Sequence, residues 1–358
     1  MSDLSNPEIS IIMSVYNGEA YLKEAIQSVI NQSFKNWELI IINDCSTDST
    51  GEILADFASK DERIKVHPNE VNLKLPTSLN KAISLSKGKY IARMDADDIC
   101  LADRFEKQYK FMEENEDVAL SSCRFMTVKN GIYMSGGAGG RCDNNALRAM
   151  LLVGNPILHP GVIARTEVMK EFNYDTSLTC TEDLELWTRV VMANKKIQIL
   201  PECLMIYRLH DKQITSTTLE RQHIEVLKIQ QKYYGTLLKE MDEEMGKFYI
   251  SGIYFKENAN IQNFIQYSKW LKRVSVKNFN KNDINYSLLE ILAEYKRCGI
   301  SKFDVLRALI RINPLFLIKE FIRRKHEAKK DIAKCINIAN DLCLKQTAGT
   351  KEFPIFSK

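Results

Sequence analysis

Three carboxylates lie within four residues of the chain, at Asp95, Asp97 and Asp98. Carboxylates this close repel one another unless a cation or water offsets their charge. Oxygen-rich sites of this kind suit hard cations such as Mg²⁺ or Mn²⁺, which in turn hold diphosphate oxygens. The other interpretation is a solvated acidic loop that caps the next helix, because aspartate favours the positive amino end of a helix. These residues alone leave both interpretations open.

A second polar cluster begins at Asp44, which comes directly after an apolar run. Its carboxylate could accept hydrogen bonds from a nucleobase, while residues 46–50 form a turn that opens the next helix. For Asp48 and Ser49 we expect ordinary capping of that helix.

A third cluster contains Glu182 and Asp183, at the start of a predicted helix. An acidic pair at this position often only complements the helix dipole. A carboxylate that faces a sugar acceptor could instead remove the proton of the attacking hydroxyl. The pair is therefore a candidate general base.

The elements that must position these residues alternate between strands and helices. Apolar runs predict strands at 9–15, 37–42 and 90–94, and helical periodicity predicts helices at 21–30 and 79–85, with Gly88 as a stop signal. Strands joined by helical crossovers indicate a largely parallel α/β sheet, Rossmann-like and flanked by helices. Ligands of such sheets lie beyond the carboxyl ends of the strands. Tyr16, Asp44 and Asp95 should therefore converge on one edge.

Composition restricts the class of protein further. The chain has 358 residues, 45% hydrophobic and 27% charged, with a formal net charge of +4. These values are typical of a globular protein and demand no nucleic-acid partner. Nine scattered cysteines without a CxxC pair favour the cytoplasm over a disulfide framework. No apolar signal core or run of about 18 apolar residues is present, so a membrane-spanning helix is not expected.

Two units are predicted, a catalytic domain at 1–215 and a mostly helical region at 216–358 that is rich in Lys and Glu. Within the second unit, residues 303–330 mix an apolar stripe with basic side chains. Such a stretch suits an anionic membrane surface. It equally suits a helix that packs on the catalytic domain, or a contact with an acceptor or in a homo-oligomer, and these alternatives stay open.

Taken in order, six motifs make the chain similar to a known family. The chain resembles a family 2 glycosyltransferase of the GT-A fold over roughly residues 8–215. The motifs are Val15-Tyr16-Asn17, Asn43-Asp44-Cys45-Ser46-Thr47-Asp48, Ala92-Arg93-Met94-Asp95-Ala96-Asp97-Asp98, Asn155-Pro156 with His159-Pro160, Glu182-Asp183-Leu184-Glu185-Leu186-Trp187, and Tyr207-Arg208-Leu209-His210.

The resemblance implies roles for particular residues. Tyr16 and Asp44 match positions that hold the base, commonly uracil. Asp95 and Asp97 match the DxD motif, whose last aspartate reaches the metal while the first contacts the ribose or the metal through water. The remaining donor-site positions are Val15, Asn17, Glu19, Arg93 and Ala96.

On the acceptor side, Asp183 matches the general base, with Glu182 beside it orienting the acceptor or the backbone. His210 matches a histidine that closes over the donor and joins the metal site in some members. The chain also departs from the family, because Lys74 and Ala82 stand where glycine is frequent and Asn43 stands where many relatives have aspartate.

The resemblance therefore implies an inverting, metal-dependent enzyme that uses Mn²⁺ or Mg²⁺. It would move one sugar from a nucleoside-diphosphate donor, commonly a UDP-sugar, to a glycan or lipid-linked glycan in O-antigen or capsule synthesis. Inversion follows because a direct in-line displacement needs no second nucleophile. The chain lacks the Gln-x-x-Arg-Trp motif of processive synthases, which favours single addition. The alternatives are a nucleotidyltransferase and a catalytically silent sugar-nucleotide or glycan-binding module.

Overall fold

One mixed sheet, flanked by helices on both faces, forms the centre of the computed structural model. The described residues are 6–129, 132–136, 147, 151, 155–210, 213, 221–222, 224–226, 228–229 and 232–233. The strands are β1 (Ile9–Val15), β2 (Trp37–Asn43), β3 (Ile64–Pro68), β4 (Tyr90–Arg93), β5 (Ile99–Cys100), β6 (Val118–Lys129), β7 (Ile132–Gly136), β8 (Ile163–Arg165) and β9 (Lys196–Leu209). The helices are α1 (Leu22–Ile30), α2 (Thr50–Lys60), α3 (Leu75–Leu85), α4 (Arg104–Glu114), α5 (Thr166–Phe172) and α6 (Glu182–Met192), with a 3-10 turn at His159–Gly161.

The strand order is β3-β2-β1-β4-β8-β6-β9-β5, with β7 paired to β6. The first four strands in this order pair in parallel. Beyond β4 the sheet becomes mixed, because β8 runs antiparallel to β4 and β6 while β9 runs parallel to β6. The predicted α/β class is confirmed, and its parallel part is the half built from the first 93 residues.

The apolar strands are buried because side chains pack on both faces of the sheet. Alternate residues of β2 enter different cores: Leu39 and Ile41 pack on the side of α1, α2 and α4, whereas Ile40 and Ile42 pack on the side of α3, α5 and α6. A strand buried on both faces reads as a continuous apolar run rather than an alternating one. The fully buried Trp187 of α6 fills the second core.

Helical residues beyond the predicted boundary at 215 contact this same body. Val226 and Ile229 are buried in the second core, and the Tyr233 hydroxyl donates a hydrogen bond of 2.5 Å to Glu185 of α6. Glu225 accepts a hydrogen bond of 2.8 Å from the Thr181 hydroxyl, just before α6. The two-unit division stays a prediction, and the basic stretch at 303–330 lies outside the described residues.

Two local predictions are corrected by the structure. Asp48 accepts a hydrogen bond of 3.0 Å from the Thr50 backbone and so caps α2 as expected, but the Ser49 side chain makes no capping bond. α3 ends at Leu85 as predicted, but Gly88 is not its cap residue: that residue is Ser86, whose amide donates to the Ile83 carbonyl. Among the helices of the described residues, none has the length and apolarity needed to cross a bilayer.

Gly88 is instead required by a close approach of backbone to backbone. A Cβ atom at this position would lie 2.6 Å from the Ser10 nitrogen and 2.9 Å from the Ile9 carbonyl carbon. The Gly88 amide also donates a hydrogen bond of 2.8 Å to the Ser10 hydroxyl. Neither neighbour can move without shifting β1, the strand at the centre of the parallel half.

We therefore expect Gly88→Ala to lower the free energy of unfolding by about 1–3 kcal/mol through overpacking. Gly51→Ala is the matched control, because the nearest atom to its added Cβ is 3.8 Å away. That change should leave stability the same or raise it by up to about 1 kcal/mol, since alanine favours helix over glycine. Urea unfolding of both variants measures the difference, and equal losses would contradict the explanation.

Candidate active site

Hydrogen bonds connect the polar loop that follows β1 to the polar loop that follows β2. The Asn17 side chain accepts a hydrogen bond of 2.8 Å from the Thr47 amide, and the Glu19 carboxylate accepts one of 3.1 Å from the Ser49 amide. The Val15 carbonyl accepts a hydrogen bond of 2.8 Å from the Asp44 amide. In these contacts Val15, Asn17 and Glu19 hold two loops together, and their contact with a donor stays a prediction.

Tyr16 and Asp44 differ sharply in exposure. Tyr16 is 53% exposed, which is high for an aromatic side chain. Asp44 is only 2% exposed. Its carboxylate accepts hydrogen bonds from the Asn69 amide, the Leu73 backbone and the Lys74 backbone, at 2.8, 2.8 and 2.9 Å. The predicted base-binding aspartate therefore also fixes the loop that follows β3.

The acidic cluster lies at the carboxyl end of β4. Asp95, Asp97 and Asp98 each offer one oxygen, and these oxygens lie within 4.8 Å of one another. Asp98 is fully buried, and burial raises the pKa of its carboxyl well above the usual range, with the charges of Asp95 and Asp97 adding to the effect. Its Oδ2 atom has no hydrogen-bond partner among the described residues. Ala96 lies beside Gly18, so this loop packs against the loop after β1.

The pairing of β5 with β9 brings His210 to this cluster. β5 starts directly after Asp98 and pairs antiparallel with β9, Ile99 opposite Ile206. The chain leaves β9 at Leu209, and the next side chain places His210 Nε2 at 2.8 Å from Asp97 Oδ2. The structure thus brings together the two residues that were predicted to hold a metal. Carboxylate and imidazole donors with one buried, unpartnered oxygen fit a divalent cation.

Arg208 is a residue of this site to which sequence reasoning gave no role. Its backbone amide donates to Asp98 Oδ1 at 2.9 Å, and its Nε donates to the Asp97 carbonyl at 2.9 Å. The same guanidinium pairs with Glu24 of α1 at 2.6 Å and stacks 4.6 Å from the Tyr21 ring centroid. The available signal was its place inside the Tyr207-Arg208-Leu209-His210 motif.

Arg93 connects the acidic cluster to the Glu-Asp pair. Its side chain is 4% exposed and forms an ion pair with Asp95. Burial is the largest single effect and lowers the pKa of Arg93, but the charge and hydrogen bond of Asp95, with smaller contributions from Tyr174 and Glu182, together hold the pKa above its ordinary value. Below it, the buried Arg104 donates a hydrogen bond of 2.9 Å to the Arg93 carbonyl and so fixes the end of β4. Sequence reasoning did not identify Arg104.

The Glu-Asp pair begins α6, and its two carboxyls face different surroundings. Asp183 is half-buried and accepts hydrogen bonds from the exposed Asn155 amide at 2.6 Å and from the Leu184 backbone at 2.7 Å. Burial raises the pKa of Asp183, while the Leu184 bond and Arg93 act in the opposite direction. Glu182 is 5% exposed. Asp183 is therefore the more exposed residue of the pair.

Glu182 faces a buried polar group formed by His159 and Tyr174. His159 Nδ1 lies 3.8 Å from the Glu182 carboxylate, and Nε2 lies 2.7 Å from the Tyr174 hydroxyl. Burial and the nearby Arg93 hold the pKa of His159 well below its usual range, so the imidazole is neutral. Burial, with the neighbouring Asp183 charge, raises the pKa of Glu182 to about 8.

This raised pKa gives stability a defined pH dependence. The folded protein holds the Glu182 proton up to about pH 8, whereas the unfolded chain releases it near the ordinary 4.5. Wild-type stability should therefore fall as pH rises through this window. The advantage of Glu182→Gln over wild type in unfolding free energy should be larger at pH 8 than at pH 5, by on the order of 1–3 kcal/mol. Urea unfolding measures it; the exposed Glu62→Gln control should show no such change.

Comparison with known proteins agrees with this geometry. The sequence model described as "Glycosyl transferase family 2" matches residues 10–166. An uncharacterised glycosyltransferase of Haemophilus influenzae is 30% identical over 336 residues, covering 89% of this chain and 97% of that protein. The O-antigen biosynthesis glycosyltransferase WbnJ of Escherichia coli is 31% identical over 217 residues, covering 59% of this chain and 83% of that protein.

Among solved structures, the S. aureus TarS fragment 1–349 in complex with UDP superposes with a TM-score of 0.54. The match covers 81% of this chain and 90% of that fragment at 18% identity, so it speaks for the fold alone. Together the family match, the nearly full-length relative and the sheet with its acidic cluster agree. The chain belongs to glycosyltransferase family 2, has the GT-A type of fold, and is a glycosyltransferase.

Proposed function

We propose that the protein is an inverting, metal-dependent enzyme that transfers one sugar from a nucleoside-diphosphate donor, with UDP as the nucleotide, to a hydroxyl of a glycan or lipid-linked glycan. One observation carries the proposal: Arg93 holds the acidic cluster through Asp95 and also acts on the Glu182–Asp183 pair. An aspartate proposed to bind the donor and a candidate general base thereby interact with the same buried guanidinium. A solvated acidic cap would leave Asp98 hydrated, but its carboxyl is buried.

On the donor side, Asp97 and His210 would hold Mn²⁺ or Mg²⁺, with Asp95 directed to the ribose or to the metal through water. When bound, such a cation offsets the charge that develops on the leaving diphosphate. Tyr16 offers an exposed ring on which a base can stack, and aromatic stacking tolerates any base. Base selection therefore falls to hydrogen-bonding groups such as Asp44.

On the acceptor side, Asp183 takes the proton of the attacking hydroxyl. Asn155 holds Oδ2 and the Leu184 amide holds Oδ1, so the carboxylate is fixed before an acceptor binds. A base works best when its pKa lies near the working pH, and burial raises the pKa of Asp183 in that direction. Attack opposite the leaving diphosphate then inverts the anomeric centre, which gives a β-linkage from an α-linked donor.

The proposed setting is the synthesis of a bacterial surface polysaccharide such as O-antigen or capsule. It is supported by the similarity to the E. coli O-antigen biosynthesis enzyme. A lipid-linked acceptor would suit a peripheral position on the inner face of the cell membrane. The basic stretch at 303–330 that motivates membrane contact lies outside the described residues, as does any surface there that would form a homo-oligomer.

The donor site is tested by calorimetric titration of the full chain with UDP, GDP and dTDP, each with and without Mn²⁺. We expect one nucleotide to bind in a metal-dependent manner. Asp97→Asn should weaken that binding at least about tenfold, because a charge-assisted contact is lost. Asp56→Asn, on the exposed face of α2, is the matched control and should bind like wild type. Metal-independent binding would mean that the acidic cluster is a structural cap.

The base is tested by following nucleotide release from UDP-sugars with water as acceptor. Asp183→Asn should lower the rate by about 10²–10⁴-fold, the usual contribution of a positioned general base. Binding of UDP should stay close to wild type, which separates loss of the base from loss of the fold. Asp117→Asn, an exposed carboxylate paired with Lys196, is the control.

The stereochemistry of the released sugar gives an independent result. NMR of the first product formed from an α-linked donor should show the β-anomer. A first product with the α-configuration would contradict direct displacement. Nucleotide binding without any release would instead indicate a silent sugar-nucleotide-binding module.

A further inference from the structure

The backbone of Lys74 is held in a conformation that is almost restricted to glycine. Its φ is 69° and its ψ is 163°, at the residue that precedes α3. A side chain in this region costs free energy and persists only where the surroundings over-determine it. Among the described non-glycine residues with positive φ, Asn17, Asn173 and Asn194 are of the type that best tolerates it. Lysine has no such tolerance.

The surroundings that impose this conformation are identifiable. Asp44 Oδ2 accepts the Lys74 amide at 2.9 Å, and Oδ1 accepts the Leu73 amide and the Asn69 side chain, both at 2.8 Å. Asn69 is itself fixed, because Lys81 donates to its oxygen at 2.8 Å and its nitrogen donates to Ser78 at 3.0 Å. A buried carboxylate must be satisfied by donors, so the loop closes on Asp44 at the expense of local strain.

Asp44 keeps one acceptor position after these bonds are counted. An ionised carboxylate has about four lone-pair sites. Three of them are used, two on Oδ1 and one on Oδ2. A ligand that donates a hydrogen bond to Asp44 therefore approaches Oδ2, the same oxygen that holds the Lys74 amide. Any such ligand lies next to the Lys74 Cα, within reach of its side chain.

The Lys74 ammonium is available for that ligand. The side chain is exposed, and among the described residues no carboxylate forms an ion pair with it. The two hydrogen bonds that Lys74 donates within the described residues, to Asp44 and Asn72, both come from its backbone amide. A flexible cationic side chain thus begins at the residue whose backbone amide contacts the fixed carboxylate. Together they present an acceptor for an N–H group and a donor for a neighbouring carbonyl.

We propose that Lys74 is a specificity-determining residue for the donor base, and that its ammonium binds the carbonyl next to the ring N–H that Asp44 accepts. The ligand class is a base with a ring N–H beside a carbonyl, which includes uracil, thymine and guanine. Cytosine and adenine have no ring N–H on this edge and are rejected. The inference rests on the proposed donor site, in which Asp44 binds the base.

The proposal explains why lysine occupies a position that glycine would fill without strain. Glycine would relax the backbone and keep all three bonds to Asp44, but it would remove the cation. Lys74→Gly should therefore stabilise the fold and weaken nucleotide binding at the same time. If Lys74 had only a structural role, its replacement would change stability and nucleotide affinity in the same direction, or would change stability alone.

The test is calorimetry of the full chain with UDP, GDP and CDP in the presence of Mn²⁺, together with thermal unfolding. Lys74→Gly and Lys74→Met should each weaken binding of the preferred nucleotide about 10-fold to 100-fold. Weak CDP binding should stay unchanged, because cytosine does not use this contact. Lys74→Arg should retain binding, and Lys110→Met on α4 is the matched control. The unfolding midpoint should rise by about 2–4 °C in Lys74→Gly and not in Lys74→Met.

Each contrary result has a defined meaning. Unchanged binding in Lys74→Met, or equal losses for UDP and CDP, would overturn this inference and leave the proposed donor site intact. Absence of nucleotide binding in wild type would overturn the donor site and the inference together. Preference for GDP would agree with the base class of this inference and would contradict UDP as the nucleotide of the proposed function.

Discussion

A guanidinium buried at the end of β4 is the constraint on which the rest of the site depends. Arg93 is 3% exposed, and a buried charge costs several kcal/mol unless an opposite charge and hydrogen bonds compensate it. Its compensation comes from the Asp95 carboxylate beside it. The same cation favours the ionised forms of Glu182 and Asp183, although burial of both carboxyls is the larger effect and raises their pKa values. Arg93 therefore interacts electrostatically with both the acidic cluster and the Glu-Asp pair.

Arg93 alone does not offset the negative charge that the three aspartates of the acidic cluster would carry when ionised. Arg93 pairs with one carboxylate, that of Asp95. The Arg208 guanidinium donates to the Asp97 carbonyl, and only the uncharged Arg208 backbone amide reaches a carboxylate, that of Asp98. Burial, together with the charges of Asp95 and Asp97, raises the pKa of Asp98 well above its ordinary value, and its buried Oδ2 has no hydrogen-bond partner among the described residues. A divalent cation would remove both effects at once, which is the physical reason to expect one here. The protein thus buries a carboxyl whose ionisation a cation at this place would favour.

The sequence predicted the parallel half of the fold because its signals are local. Strands buried on both faces read as apolar runs, and β1, β2 and β4 were found within one residue of their ends. The acidic cluster and the Glu-Asp pair were visible because their members adjoin in the chain. The proximity of Asp97 to His210 was reached only through the family resemblance, since 113 residues separate them and no local pattern encodes the pairing of β5 with β9.

Features that depend on close approach in space were missed or misread. Gly88 was taken as a helix stop, yet its requirement comes from the backbone of β1, 78 residues earlier in the chain. Arg104 and Arg208 act through carbonyl and amide groups, which carry no residue signature. The departure from glycine at Lys74 was visible in the sequence. Its meaning required the backbone angles and the three donors on Asp44.

The change from parallel to antiparallel pairing at β4 explains how one sheet edge brings together the residues proposed for the donor and those proposed for the acceptor. On the β1 side of β4, parallel strands bring the loops after β1, β2 and β4 to one edge, and these loops carry the residues proposed to contact the base and the diphosphate. On the other side, β8 runs antiparallel, so the turn at His159–Gly161 enters β8 at that same edge. This turn carries His159, which contacts Glu182 at the start of α6. Arg93 ends β4, the strand between these halves. The residues proposed for the donor and those proposed for the acceptor are therefore held at fixed positions relative to the buried Arg93 guanidinium.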